Sequence, residues 1–99
     1  MPVERKTALN ADAVAQPLKP YYSNAVRTSA GPLLWISGQV ALDREGKLVG
    51  KGDLRAQAEQ VLKNIEAILH DADADMEDIV KVTVYVTDIR AFNDIADIR

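Results

Sequence analysis

Three residues of this 99-residue chain could work together as hydrogen-bond donors toward a small polar ligand: Tyr22, Ser37 and Gly38. Ser37 and Gly38 sit inside WISGQVALD, residues 35–43, where a hydroxyl, a bare backbone and an amide interrupt an otherwise apolar run that starts at Leu33. Tyr22 precedes a hairpin pattern that Ser37 follows. A phenol, an alcohol and a backbone N–H opened by glycine form a donor set suited to a small polar anion. Each also has a plainer reading. Tyr22 could be an amphipathic core residue with its hydroxyl at the surface, and Ser37 a small residue at a bulge beside Gly38.

Other polar residues carry weaker signals. Asp71, Asp73 and Asp75 copy the opening of a calcium loop, but Met76 stands where the loop needs glycine and Val82 where it needs a bidentate glutamate. That stretch, DADADMED, reads as a solvated loop. His70, the single histidine, falls on the polar side of a helix near its C-terminus, with an electrostatic role there and no partner for general-base work. Gln57 and Asn64 lie seven residues apart on one edge of the same helix, and their amides are expected to satisfy backbone groups of a neighbouring loop or sheet in preference to a ligand.

The elements that must position these residues follow from periodicity. Residues 3–9 suit a short edge strand and residues 10–20, with Pro17 and Pro20, a loop. SNAVRT and PLLWIS flank Ser29, Ala30 and Gly31, which predicts a hairpin between them, and DREGKL predicts a second turn centred on Gly46. Asp53 is the expected N-cap of a helix from 54 to about 70, whose apolar face comprises Leu54, Ala58, Val61, Leu62, Ile65, Ile68, Leu69 and Ala72. Residues 79–87 alternate strictly, with Val80, Val82, Val84 and Val86 on a face that the helix should cover. Thr83 and Tyr85, on the other face, are candidates for subunit contact. Asp88 then caps a second helix carrying Ile89, Phe92, Ile95 and Ala96 on one side. The order implies a single α+β domain over residues 1–99 with both helices on one face of a sheet.

Composition narrows the function. A chain of this length buries roughly 60% of its unfolded surface, so oligomerisation is a natural source of further stability. Nearly half the residues are apolar, and the net charge is −3 with no basic stripe, which argues against nucleic acid as a partner. There is no cysteine, so thiolate catalysis, disulfides and cysteine-ligated zinc are excluded. The N-terminal MPVERKTALN has no apolar core of a signal peptide, and no segment has about 20 consecutive apolar residues, so a cytoplasmic protein without membrane association is expected.

In order, PYYSNAV, WISGQVALD, DLRAQAEQVLKNIEAIL and MEDIVKVTVYVTDI resemble the RidA family (also called YjgF/YER057c/UK114), the reactive-intermediate imine deaminases. The likeness covers about residues 17–95. It implies a chorismate mutase-like α+β fold that assembles as a homotrimer with active sites in the clefts between subunits. It also implies hydrolysis of 2-imino acids, or their enamine tautomers such as 2-aminoacrylate, to 2-oxo acids and ammonia without metal or organic cofactor. By the same resemblance, Tyr22 and Ser37 shape the substrate pocket as catalytic residues, the Gly38 N–H contacts substrate, and Gln57 and Asn64 are structural amides. The family's carboxylate-clamping arginine, in a P-A-R stretch, and its water-orienting glutamate fall beyond the matched positions; neither Arg90 nor Arg99 has that arginine's context. The chain is therefore expected to represent the family domain without its C-terminal segment. A non-catalytic ligand-binding or regulatory member of the fold, a ribonuclease or translation inhibitor, and an inactive fragment are the alternatives.

Overall fold

The computed structural model describes residues 6–17 and 23–95. The chain divides into two compact units, Met1–Leu34 and Trp35–Arg99.

In the first unit, Lys6–Leu9 forms β1 and Ala25–Thr28 forms β2, paired antiparallel with Lys6 opposite Thr28 and Leu9 opposite Ala25. The edge strand expected near the N-terminus is present. The expected hairpin between SNAVRT and PLLWIS is not: the ladder partner of β2 is β1, and residues 32–37 belong to no strand among the described residues. The cause lies where β1 ends and β2 begins. Asn10 Oδ1 accepts from the Asn24 N–H at 2.8 Å, and Asn24 Oδ1 accepts from the Ala11 N–H at 3.0 Å. This reciprocal pair closes the ladder at the residues that flank it, and turn-forming asparagines are suited to the task because their side chains mimic a peptide group. On the other side of β2, Pro32 has no N–H to give a ladder.

The second unit is organised by α1, Leu54–Asp71. Asp53 is its N-cap as expected, with its carboxylate accepting from the Ala56 N–H at 3.1 Å. The expected apolar face is turned inward except at its end: Leu69 is buried and Leu54, Ala58, Val61, Leu62, Ile65 and Ile68 are half-buried, Ala72 is an exposed C-cap, and Arg55, Glu59, Lys63, Glu66 and His70 are exposed. Ala41 and Ile95 are the other buried apolar residues described. Before the helix, the turn centred on Gly46 forms as expected. Asp43 Oδ1 accepts from both the Glu45 and Lys47 N–H groups at 2.9 Å, Gly46 takes φ +80°, and Leu42 bridges Leu48. Gly50 also lies in the left-handed region at φ +77°, and a Cβ there would stand 2.8 Å from the Ala56 Cβ and 2.9 Å from the Gln57 N, so both conformation and space demand glycine.

Two expectations need correction. Residues 79–87 are not a strand among the described residues, and α1 does not cover the valine face along its length: Val80, Val82 and Val84 are exposed, while Val86 is half-buried and lines a groove with Leu54 and Gln57 of the helix. Alternation defines two faces only once a neighbouring ladder fixes the pleat, and no backbone hydrogen bond is made by residues 80–87 among the described residues. The second helix is a 3-10 segment, Ile89–Asp94, held by i→i+3 bonds such as Ala91 N–H to Asp88 O at 3.1 Å. Six residues suit the short 3-10 form, and Ile89 remains 75% exposed while Phe92 is half-buried. Ala96 lies outside the described residues.

The cap and the glycine lead to one stability prediction, read from urea unfolding. Asp53→Ala should lower the unfolding free energy by about 0.5–2 kcal/mol. Gly50→Ala should cost at least about 1 kcal/mol, because it forces both a left-handed alanine and a backbone clash. Unchanged midpoints for both would contradict the account of how α1 is started.

Candidate functional site

Gly38 and Gln39 line an open groove of about 680 Å³ in the second unit, together with Val40, Asp43, Lys63 and Asn64 among others, and Ser37 directly precedes them. Ser37 and Gly38 are both exposed. The Ser37 hydroxyl makes no hydrogen bond among the described residues, although the Ser37 carbonyl accepts from Gln39 Nε2 at 3.3 Å. Among the described residues nothing lies within 4 Å of the position a Gly38 Cβ would take, and its φ is not in the left-handed region. Neither backbone strain nor packing by the described residues therefore requires glycine at 38. What glycine leaves there is open access to the backbone.

Helix α1 fixes the backbone just beyond this segment. Asn64 Nδ2 donates to the Val40 carbonyl at 3.2 Å and to the Leu42 carbonyl at 3.0 Å. Gln60, one turn earlier on the same face, donates through Nε2 to Asn64 Oδ1 at 2.8 Å, with a longer contact of 3.5 Å to the Leu42 carbonyl. Asn64 thus fills the structural role expected of it. Gln57 does not: its side chain makes no hydrogen bond among the described residues and lines a separate, smaller groove of about 310 Å³ with Gly52, Val86, Thr87 and Asp88. The second structural amide is Gln60, which sequence reasoning passed over. Its i,i+4 spacing from Asn64 was the available signal.

Tyr22 and Arg99 lie outside the described residues. The predicted hairpin that placed Tyr22 and Ser37 on either side of one element is replaced by the β1–β2 pair. Arg90 is engaged: its Nε and Nη2 donate to the two Asp88 carboxylate oxygens at 3.0 and 3.1 Å. His70 is exposed in the last turn of α1. The aspartates after it act locally. Asp75 accepts from the Glu77 N–H and Asp78 accepts from the Asp75 N–H, each at 3.0 Å, which caps a short 3-10 turn at Met76–Asp78. Among the described residues no group of three carboxylates or imidazoles is arranged to hold a metal ion.

Comparison with known proteins settles the family. Residues 12–99 match the family model described as Endoribonuclease L-PSP. The chain belongs to the RidA family. RutC family proteins of Pyrococcus abyssi and Aquifex aeolicus are 37% identical over 87 residues and 44% identical over 78 residues, covering 88% and 78% of this chain and 66% and 59% of theirs. The chain thus spans about two thirds or less of the length of these two relatives. The crystal structure of YyfB from Yersinia pestis, a Rid-family protein of unknown function, superposes with a TM-score of 0.76 at 32% identity, covering 92% of this chain and 70% of that one. The α+β class and the RidA-type fold expected from sequence are therefore those of the molecule.

The Asp88–Arg90 pair gives a pH prediction. Hydrogen bonds from the Arg90 guanidinium and then from the Arg90 N–H hold the Asp88 carboxyl below its usual range. Because the folded value lies below the unfolded one, the contribution of this cap is complete above the unfolded value and is lost as pH falls through the folded one. An NMR titration of the Asp88 carboxyl carbon should give a lowered midpoint in the native protein and a higher one in Arg90→Ala, where only the backbone N–H of residue 90 still donates. Equal midpoints would contradict the pairing.

Proposed function

We propose that the protein containing this chain hydrolyses reactive 2-imino acids and their enamine tautomers, of the 2-aminoacrylate and 2-iminobutanoate type, to 2-oxo acids and ammonia. In this reading residues 1–99 belong to one RidA-type domain, which acts in the cytoplasm as a homotrimer and uses no metal or organic cofactor. The observation that carries the reading is the open backbone at Gly38, which lines a groove next to the exposed Ser37 and is unconstrained by packing of the described residues at the position where glycine stands. The family relationship supports it.

The chemistry asks little of the protein beyond placed donors. Water adds to the carbon of the C=N bond while nitrogen is protonated; the resulting amino alcohol then collapses, the C–N bond breaks, and ammonia leaves with the electron pair. The hydroxyl hydrogen lost in forming the new C=O balances the proton taken up by nitrogen. The Gly38 N–H and the Ser37 hydroxyl serve as donors to the substrate and fix its geometry, and Tyr22 supplies a third donor. Arg90, already held by Asp88, has no assigned part. Trp35 and Tyr85, 85% and 92% exposed, together with the exposed Val80, Val82 and Val84, supply apolar surface of the kind subunit interfaces cover.

A second reading, endoribonuclease activity, is favoured by the description of the matching family model. A net charge of −3 without a basic stripe weighs against it. Metal-independent cleavage of single-stranded RNA, abolished by high salt, would be its signature.

In the full-length protein, Ser37→Ala and Tyr22→Phe should each lower the rate of hydrolysis of an imino acid generated in situ by on the order of 10²-fold, as expected when one transition-state donor is lost. The unfolding temperature should change little. Rates equal to those of the unmodified protein in both variants, or no acceleration by the unmodified protein, would overturn the reading; a monomer in sedimentation would remove its trimeric part.

A further inference from the structure

The chain bends sharply just after Gly38 and Gln39. The Leu42 N–H donates to the Val40 carbonyl at 2.8 Å, which closes a three-residue turn at Ala41, and Ala41 itself is buried. The carbonyls on either side of this turn, those of Val40 and Leu42, are the two that Asn64 braces. Both hydrogens of the Asn64 amide are therefore committed to the bend. Its oxygen is committed to Gln60, so the amide has one satisfactory orientation; reversed, Asn64 Oδ1 would face two carbonyl oxygens and its NH₂ would face the donor of Gln60. The brace rests on an 18-residue helix, an element far stiffer than the loop it holds.

We infer that Gln60 and Asn64 are positioning residues for the Ser37–Gly38 segment: Asn64 fixes the bend at Ala41, Gln60 fixes Asn64, and the Gly38 N–H is thereby held in one place. Neither amide touches the Ser37 hydroxyl or the Gly38 backbone. They act through the braced carbonyl of Val40, two residues from Gly38. Val40 and Leu42 are both exposed, so water can replace the lost donors when the brace is removed. The brace therefore governs where the segment sits more than whether the chain folds. Its consequence for catalysis rests on the imine-hydrolysis reading, while its consequence for the backbone does not.

The test uses full-length protein and two readouts, the amide resonances of Ser37, Gly38 and Gln39 and the kinetics of imino acid hydrolysis. Asn64→Asp is isosteric and sets carboxylate oxygens against the two carbonyls. It should shift the Gly38 and Gln39 resonances and lower kcat/KM roughly 10- to 10²-fold, the effect of a small displacement of a substrate contact. Acidification through the titration of the new carboxyl should move the resonances back toward their original positions, since the protonated group regains a donor. Gln60→Leu should shift the same resonances less, and Gln57→Leu, on the same helix without a side-chain bond, should not move them. Unmoved Gly38 and Gln39 resonances in folded Asn64→Asp would overturn the inference, as would equal shifts in Gln57→Leu. Should Asn64→Asp fail to fold, Gln60→Leu decides by the same resonances. If the unmodified protein hydrolyses no imino acid but the resonances move as stated, the functional reading falls and the positioning role stands.

Discussion

The bend at residues 40–42 is held by one side-chain amide: Asn64 donates to the Val40 and Leu42 carbonyls, where no neighbouring strand reaches them among the described residues. The loop and the helix of the second unit meet at that brace. Helix α1 lies against residues 40–48, where Asn64 reaches them, with its apolar face, including the buried Leu69, turned inward and its charged face outward. Asp53 and Gly50 set where the helix begins, and Asp43 closes the turn that brings residues 47–49 back beside residues 41–43. The Val49 N–H to Ala41 carbonyl bond, at 2.8 Å, completes that return. A polar clamp at the margin of an apolar contact gives register where apolar packing alone would allow sliding.

Exposed backbone and exposed apolar side chains are the other side of this arrangement. Residues 80–87 and the run from Leu33 to Trp35 carry the residue types of buried strands, yet they are without ladder partners among the described residues. Such segments are suited to pairing or to burial against other surfaces. The proposed trimer would use them for that, with the Ser37–Gly38 backbone near the seam. A pocket built where separately folded surfaces meet needs its walls held in place from within each subunit, and the helix-mounted amides are suited to do so.

The parts of the fold legible in the sequence are those whose causes are local. Helix α1 announces itself through a 3.6-residue apolar period and an aspartate before its first turn, and both hold in the structure. The turn at Gly46 is equally local. Strand pairing is not, because which strand takes β2 is decided by Asn10 and Asn24, fourteen residues apart, and no pattern within either strand reports it. The alternation at 79–87 gives two faces without specifying a neighbour to fix them. In the site, Ser37 and Gly38 stand out as interruptions of an apolar run, and Asn64 as an amide on the edge of the helix's apolar face. Gln60 does not, because a glutamine on a helix edge looks like any solvated residue until its i+4 partner is known to be committed elsewhere. Gln57 carried the same local signature and has no bond.

In the proposed reaction the open backbone at Gly38 receives a small 2-oxo or 2-imino acid. The most direct measurement is a titration of the full-length protein with 2-oxobutanoate, the stable product of the proposed reaction, followed through the assigned amide resonances. Saturable shifts are expected, largest at Ser37, Gly38 and Gln39 and absent from the Asp75–Asp78 turn. Saturation with no change at Gly38, or no binding of any 2-oxo acid, would contradict the proposal.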